Sequence, residues 1–224
     1  AGLQQLAQVI QQEGALAAMQ INHAGRYNFS FFLDGKQAVA PSAVPSRMTR
    51  ETPRELTIDE IGEIVNSFAQ AALRVKKAGY DGVEVLSGTG YLISEFLSPV
   101  TNQRTDEYGG CFENRARFGV ETVQKVRAAV GDDYTVTIRV AGNDFVRGGN
   151  TNVESAQYCK LFEEAGVDAS MAVGAGGAGL RRAPGADPAA ERVGEGAAEH
   201  RALVGGETRG LAGGEGQAFV PLQR

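Results

Sequence analysis

The sequence predicts an α/β protein built on parallel strands, and three observations carry that expectation. A unit of helix, glycine, short turn and β-rich run recurs along the chain. Two of its helices open on Thr-x-x-Glu, Thr57 with Glu60 and Thr151 with Glu154, the pattern in which hydroxyl and carboxylate each satisfy a free N–H of the first turn. The strand candidates are short apolar runs next to glycine, as expected of buried strands that deliver functional groups at their carboxyl ends.

Taken in order, Gln4 to Glu13 reads as a helix, with Leu6, Val9 and Ile10 at helical spacing and Gly14 to stop it. Leu16 to Ile21 reads as a short strand that runs into Asn22-His23-Ala24-Gly25-Arg26. Tyr27 to Glu55 has no steady periodicity and carries Pro41, Pro45 and Pro53, so a long irregular connection is expected. The Thr57 helix shows one apolar face, Ile61, Ile64, Val65, Phe68, Ala72 and Val75, with Lys76 and Lys77 near the negative end of its dipole. Gly79 closes it. Val83–Leu86, interrupted by Glu84, is the next strand, followed by the turn Ser87-Gly88-Thr89-Gly90 and then Tyr91. Glu113 to Val130 is helical, Thr135–Val140 is strand-like, the Thr151 helix ends at Gly166, and Ala169–Val173 is a further strand. Periodicity leaves a closed barrel and a doubly wound sheet equally open.

Bulk properties exclude several classes. A formal charge of -5 and a pI near 5.2 give no sign of a nucleic-acid or anionic-membrane partner. No apolar run approaches ~18 residues, so no membrane span is expected, and the first residues do not read as a signal peptide. Cys111 and Cys159 have neither metal-binding spacing nor disulfide density, which suits a reducing, cytoplasmic setting; no metal site is expected. No G-x-G-x-x-G follows a strand, so a Rossmann dinucleotide site is not supported. Thirteen of the 30 glycines fall in residues 174–224, where β-branched and aromatic residues are scarce. The chain therefore divides into a folded part, 1–173, and a Gly/Ala/Arg/Glu-rich tail, 174–224, expected to be disordered or loosely helical, with no convincing strand.

The run GYLISEFLSPVTNQRTDEYGGCFENR resembles the signature of the flavin-dependent ene-reductases, the old yellow enzyme family. Ser87-Gly88-Thr89-Gly90-Tyr91-Leu92 is most similar to the branch of bacterial 2,4-dienoyl-CoA reductase and 2-enoate reductases. The resemblance covers about Leu3 to Val173 and selects the barrel: it implies a partial TIM (β/α)8 barrel, middle βα units only. The family's first two and last two strands have no counterpart in the sequence, so two exposed parallel edges are expected. The loops that grip a flavin phosphate after strands seven and eight would also be absent.

The resemblance further implies FMN as cofactor and NADH or NADPH as reductant. The substrate would be a small molecule with an activated C=C bond, an enoate or enoyl thioester. Gln20, in the family's Q-x-x-H-A-G-R motif, would meet the flavin pyrimidine edge; as a bare residue it reads as a strand-end amide. Arg139, a charge in an apolar strand, needs an acceptor. The resemblance offers it the flavin N1 and C2 oxygen, and an Arg–carboxylate pair is the alternative. Tyr91 would be the catalytic proton donor. Ser87 and Gly90 occupy the positions where other members place a His-x-x-His or His-x-x-Asn pair. The histidine that assists the tyrosine in this branch is missing from Gly174–Arg181; His200 lies in the tail. His23 has the free pKa of a general base but is expected in a tight structural turn, or at most lining the site, and Arg26 is expected on a scaffold carboxylate rather than facing the flavin. The polar cluster from Asn102 to Arg115 is expected to be a loop held by its own hydrogen bonds. An inactive barrel fragment, or a subunit completed by a second copy or another chain, is the alternative reading.

Overall fold

The structure, a computed structural model, describes residues 2–174 and 217–221. In order these form α1 (Gly2–Gln12), β1 (Ala18–Ile21), β2 (Val39–Ala40), β3 (Arg54–Glu55), α2 (Ile58–Lys77), β4 (Gly82–Ser87), α3 (Leu92–Leu97), α4 (Phe112–Val130), β5 (Thr135–Ala141), α5 (Asn152–Ala165), β6 (Ala169–Val173) and β7 (Gln217–Pro221). Both predicted capping boxes are formed. The Glu60 N–H donates to Thr57 Oγ1 at 3.2 Å while the Thr57 N–H donates to Glu60 Oε2 at 2.9 Å, and Thr151 and Glu154 repeat the exchange. Gly166, in a left-handed conformation, ends α5 as expected.

The main sheet has the order β1-β4-β5-β6-β7, and its first four strands are parallel. This order follows the chain without reversal. Helix α2 packs on α4 and α4 on α5, and the three share one core with a single face of the sheet. A doubly wound sheet reverses its strand order and places helices on both faces. The observed arrangement is the wall of a (β/α)8 barrel. On β5 the side chains alternate: Val136, Ile138 and Val140 are buried against the helices, whereas Thr137, Arg139 and Ala141 are only half-buried on the concave face. Fully burying such an aliphatic side chain is worth about 1.5–3 kcal/mol, so the helix-facing row holds the wall together.

Three elements depart from the sequence expectation. Leu92–Leu97 is a separate short helix whose six residues are all buried, with Phe96 4.4 Å from the Phe118 ring. The connection from Tyr27 to Glu55 is not wholly irregular: it contains a 3-10 turn, Ser30–Leu33, and the two-residue parallel pair β2–β3. The tail supplies β7, which pairs antiparallel with β6, so the β6 edge expected to be exposed is occupied. β1 has no strand on its other side among the described residues. The rest of the tail, including His200, lies outside the described residues.

The Asn102–Arg115 segment is held by its own hydrogen bonds, as expected. Asn102 donates to the Phe96 and Tyr108 carbonyls at 2.7 Å each, and Arg115 donates to Leu97 O at 2.9 Å and Gly110 O at 2.8 Å. Arg104 reaches across to Pro41 O at 3.0 Å and Leu56 O at 2.6 Å, tying this loop to the β2–β3 connection.

Losing an N-cap hydroxyl typically costs ~1 kcal/mol. Thr57→Ala is expected to destabilise the chain by about that amount, and Thr57→Ser to stay close to wild type. Urea denaturation followed by circular dichroism checks both; equal losses would mean that the hydroxyl contributes nothing.

Candidate functional site

Gln20, Glu84 and Arg139 form a row across β1, β4 and β5 on the concave face. Gln20 lies opposite Glu84 in the register. Arg139 lies opposite Leu86, one diagonal step beyond Glu84, a span that a long side chain bridges. Glu84 Oε1 accepts from Gln20 Nε2 at 2.6 Å and from Arg139 Nε at 2.9 Å, and Glu84 Oε2 accepts from Arg139 Nη2 at 3.1 Å. Met171, in register with Arg139 on β6, places its sulfur 3.7 Å from Nη2. The Arg–carboxylate alternative is therefore realised. It does not exhaust the row: among the described residues, Gln20 Oε1 and Arg139 Nη1 have no protein partner.

The loop after β1 closes one flank. The Gly25 N–H donates to His23 Nδ1 at 3.1 Å, and the 3-10 turn Gly25–Tyr27 follows. His23 is thus a turn residue, and burial pulls its pKa below the ordinary 6.5, so the ring is neutral at pH 7. The Arg26 N–H donates to Glu95 Oε1 at 3.0 Å, with Arg26 Nε 3.9 Å from the same oxygen, the scaffold carboxylate expected for this arginine. Gly25 has φ +57°, and a Cβ there would run into the Glu95 carboxyl, so both its conformation and its surroundings require glycine.

Glu95 is wholly buried in α3. Its Oε2 and the Arg26 Nε are buried without hydrogen-bond partners. Desolvation outweighs the Arg26 N–H and charge and pushes the Glu95 pKa up to about 8.

Tyr91 stands at the start of α3, directly after the β4 turn. It is half-buried, and its ring meets Tyr27 edge-on at 5.9 Å. Ser94 Oγ accepts from the Gly90 N–H at 2.9 Å and donates to the Tyr91 carbonyl at 2.8 Å, which fixes the turn. The Tyr91 hydroxyl has no hydrogen-bond partner among the described residues. Ser87 is fully buried, and a side chain at Gly90 would strike the Tyr27 ring, so neither position presents a substrate-holding group. A cleft of about 630 Å3 opens beside the β1 loop, lined by His23, Asn28, Phe32, Lys36 and Arg54 among others. Among the described residues no three His, Cys, Asp or Glu side chains converge as metal ligands.

Glu84 and Glu95 were not singled out from the sequence as site residues. The signal for Glu84 was present: a charge within an apolar strand needs a partner, and the reasoning applied to Arg139 applies equally to the one other charge facing it.

Residues 1–178 match the NADH:flavin oxidoreductase / NADH oxidase family. The chain belongs to that family. It is 54% identical over 173 residues to a metal reductase of Desulforamulus reducens, covering 77% of this chain and 26% of that protein. It is 48% identical over 167 residues to an NADH oxidase of Thermoanaerobacter brockii, covering 75% of this chain and again 26% of the relative. Among solved structures, a 2-naphthoyl-CoA reductase in complex with 2-naphthoyl-CoA superposes with a TM-score of 0.75 at 38% identity, over 83% of this chain and 31% of that one. The chain thus spans about a quarter of the length of the first two relatives and under a third of the third.

The family takes FMN as cofactor and NAD(P)H as reductant. The concave row fits such a group: it presents an amide oxygen, a second amide N–H and a guanidinium edge that the protein leaves free, side by side at the carboxyl ends of the strands.

Because folding raises the Glu95 pKa, the native chain holds a proton that the unfolded chain releases. Its contribution to stability is full below pH about 4.5 and is lost as the pH rises through about 8. Glu95→Gln is expected to gain on wild type steadily across that window, in denaturation midpoints measured at several pH values. Parallel curves for the two proteins would refute a protonated Glu95.

Proposed function

We propose that this chain carries the flavin-edge and proton-donor half of an FMN-dependent NAD(P)H oxidoreductase that reduces the activated C=C bond of a small enoate or enoyl thioester. The observation that carries the reading is the pairing of Gln20 and Arg139 on one concave face, each with a polar edge that the protein does not use. Family membership supports the cofactor. The CoA-ester ligand of the similar 2-naphthoyl-CoA reductase supports the thioester class.

FMN, which Gln20 and Arg139 would hold, would supply the hydride-transfer chemistry between NADH or NADPH and the electrophilic carbon of the double bond. Gln20 offers an acceptor and a donor to the pyrimidine edge and so sets the orientation of the ring. Arg139 holds a positive charge where negative charge develops on reduction, and because Glu84 has already oriented the guanidinium, little reorganisation is needed. Tyr91 donates its phenolic proton to the neighbouring carbon, so that hydride and proton together saturate the bond. Ser94 and Tyr27 hold the turn that aims it.

A second reading is favoured by the edge of β1, unpaired among the described residues, and by the share of its relatives that the chain spans. In it the chain is inactive alone and completes its barrel with a second copy or a complementing chain, which would supply the phosphate-gripping loops.

An FMN titration followed by fluorescence quenching is the primary test. Saturable micromolar binding is expected. A hydrogen bond is worth about 0.5–1.5 kcal/mol between neutral groups and about 1.5–3 kcal/mol to a charged one, so Gln20→Ala should weaken binding about two- to tenfold and Arg139→Ala roughly tenfold or more. No saturable binding would remove the reading for this chain on its own. Binding confined to a dimer, seen by size-exclusion chromatography with light scattering, would favour the second reading. If flavin binds, Tyr91→Phe is expected to leave reduction by NAD(P)H intact and to slow reoxidation by substrate by about 10²–10⁴. Stopped-flow absorbance separates the two half-reactions, and unchanged reoxidation would exclude Tyr91 as the donor.

A further inference from the structure

We infer that Glu84 is a positioning residue of the flavin site, which fixes the faces that Gln20 and Arg139 turn toward the cofactor and holds the field of Arg139 in check. The inference rests on the flavin reading above and deepens it. Glu84 sits on the middle of three neighbouring strands with its side chain only 11% exposed. One of its oxygens accepts from both Gln20 and Arg139, and the other accepts from Arg139 again.

Three consequences follow from this geometry. A carboxylate only accepts, so Gln20 must turn its amino group toward Glu84 and its oxygen outward; without that anion the two amide orientations are nearly equivalent in shape. The guanidinium is a rigid fork, so fixing Nε and Nη2 also fixes the direction of the remaining Nη1 edge. Finally, the ion pair is close to neutral as a unit. An electron-rich ring beside it is stabilised less than it would be beside an arginine with no counter-charge. Glu84 therefore keeps the reduced cofactor reactive while the arginine still orients it. An ion pair that served only to join strands would not discriminate between oxidised and reduced ligand.

The test uses Glu84→Gln, which preserves shape and volume, with circular dichroism to confirm the fold. The first readout needs no flavin. The Arg139 Nε–H resonance, assigned by its loss in Arg139→Lys, is expected to exchange with water at least tenfold faster in Glu84→Gln than in wild type; equal rates would overturn the clamp. The second readout is the ratio of dissociation constants for oxidised and reduced FMN. Glu84→Gln is expected to shift that ratio about tenfold toward the reduced form, which is about 30 mV positive in the two-electron midpoint potential. Glu84→Asp, which keeps the charge, is expected to restore the wild-type ratio. An unchanged ratio in Glu84→Gln would overturn the electrostatic role. A wild-type chain that binds no FMN would overturn the flavin reading and the potential-setting role with it, while the exchange rates would still decide the clamp.

Discussion

The polar row on the concave face depends on the register in which β4 lies between β1 and β5. Side chains on a strand alternate between faces, so a slip of one residue would turn Glu84 into the helix layer and push Val83 and Val85 out of it. The convex side prevents this. Val83, Val85, Val136 and Ile138 are fully buried against α2, α4 and α5, and a slip of β4 would forfeit that burial for Val83 and Val85. Gln20, Glu84 and Arg139 are thus aligned mainly by apolar packing on the opposite face of the sheet. Their own hydrogen bonds refine an alignment set by those three valines and Ile138.

A second, smaller constraint operates where the loop after β1 meets α3. Glu95 is buried next to a glycine that admits no side chain, and its carboxyl is held as a neutral acid. An ionised group there would sit with one oxygen unsolvated, compensated by the Arg26 N–H and a guanidinium nitrogen 3.9 Å away. By accepting from the Arg26 N–H, Glu95 anchors the residue next to Tyr27, whose ring occupies the space beside Gly90 and meets Tyr91 edge-on. One buried acid therefore links the loop near Gln20 to the turn that presents Tyr91.

Much of the wall was legible in the sequence because its signals are local. Thr57 with Glu60, Thr151 with Glu154, and the apolar face of α2 are all defined within a few turns of chain. The residues 169–173 strand was read with its observed bounds. Helix α3 was not legible, since a helix buried on every side has no amphipathic period to read. The β2–β3 pair is two residues long, too short for alternation to register. β7 is a brief run in a tail poor in β-branched residues, and only its pairing with β6 makes it a strand. In the candidate site, strand ends and family resemblance are what single out Gln20, Arg139 and Tyr91 as candidates. Glu84 and Glu95 are not singled out that way, because what defines them is partners 55 to 69 positions away in the chain.

The two ends of the main sheet are not equivalent. β6 already carries β7 from the same chain, whereas β1 offers an open row of backbone donors and acceptors among the described residues. A strand arriving from another molecule can add at β1 by simple association, at a rate proportional to its concentration. At β6 it must exchange with residues 217–221, so the rate is capped by how often that segment peels away, however much partner is present. Under the reading in which another molecule completes the barrel, assembly would begin at β1, with residues 217–221 acting as an internal competitor at the opposite end.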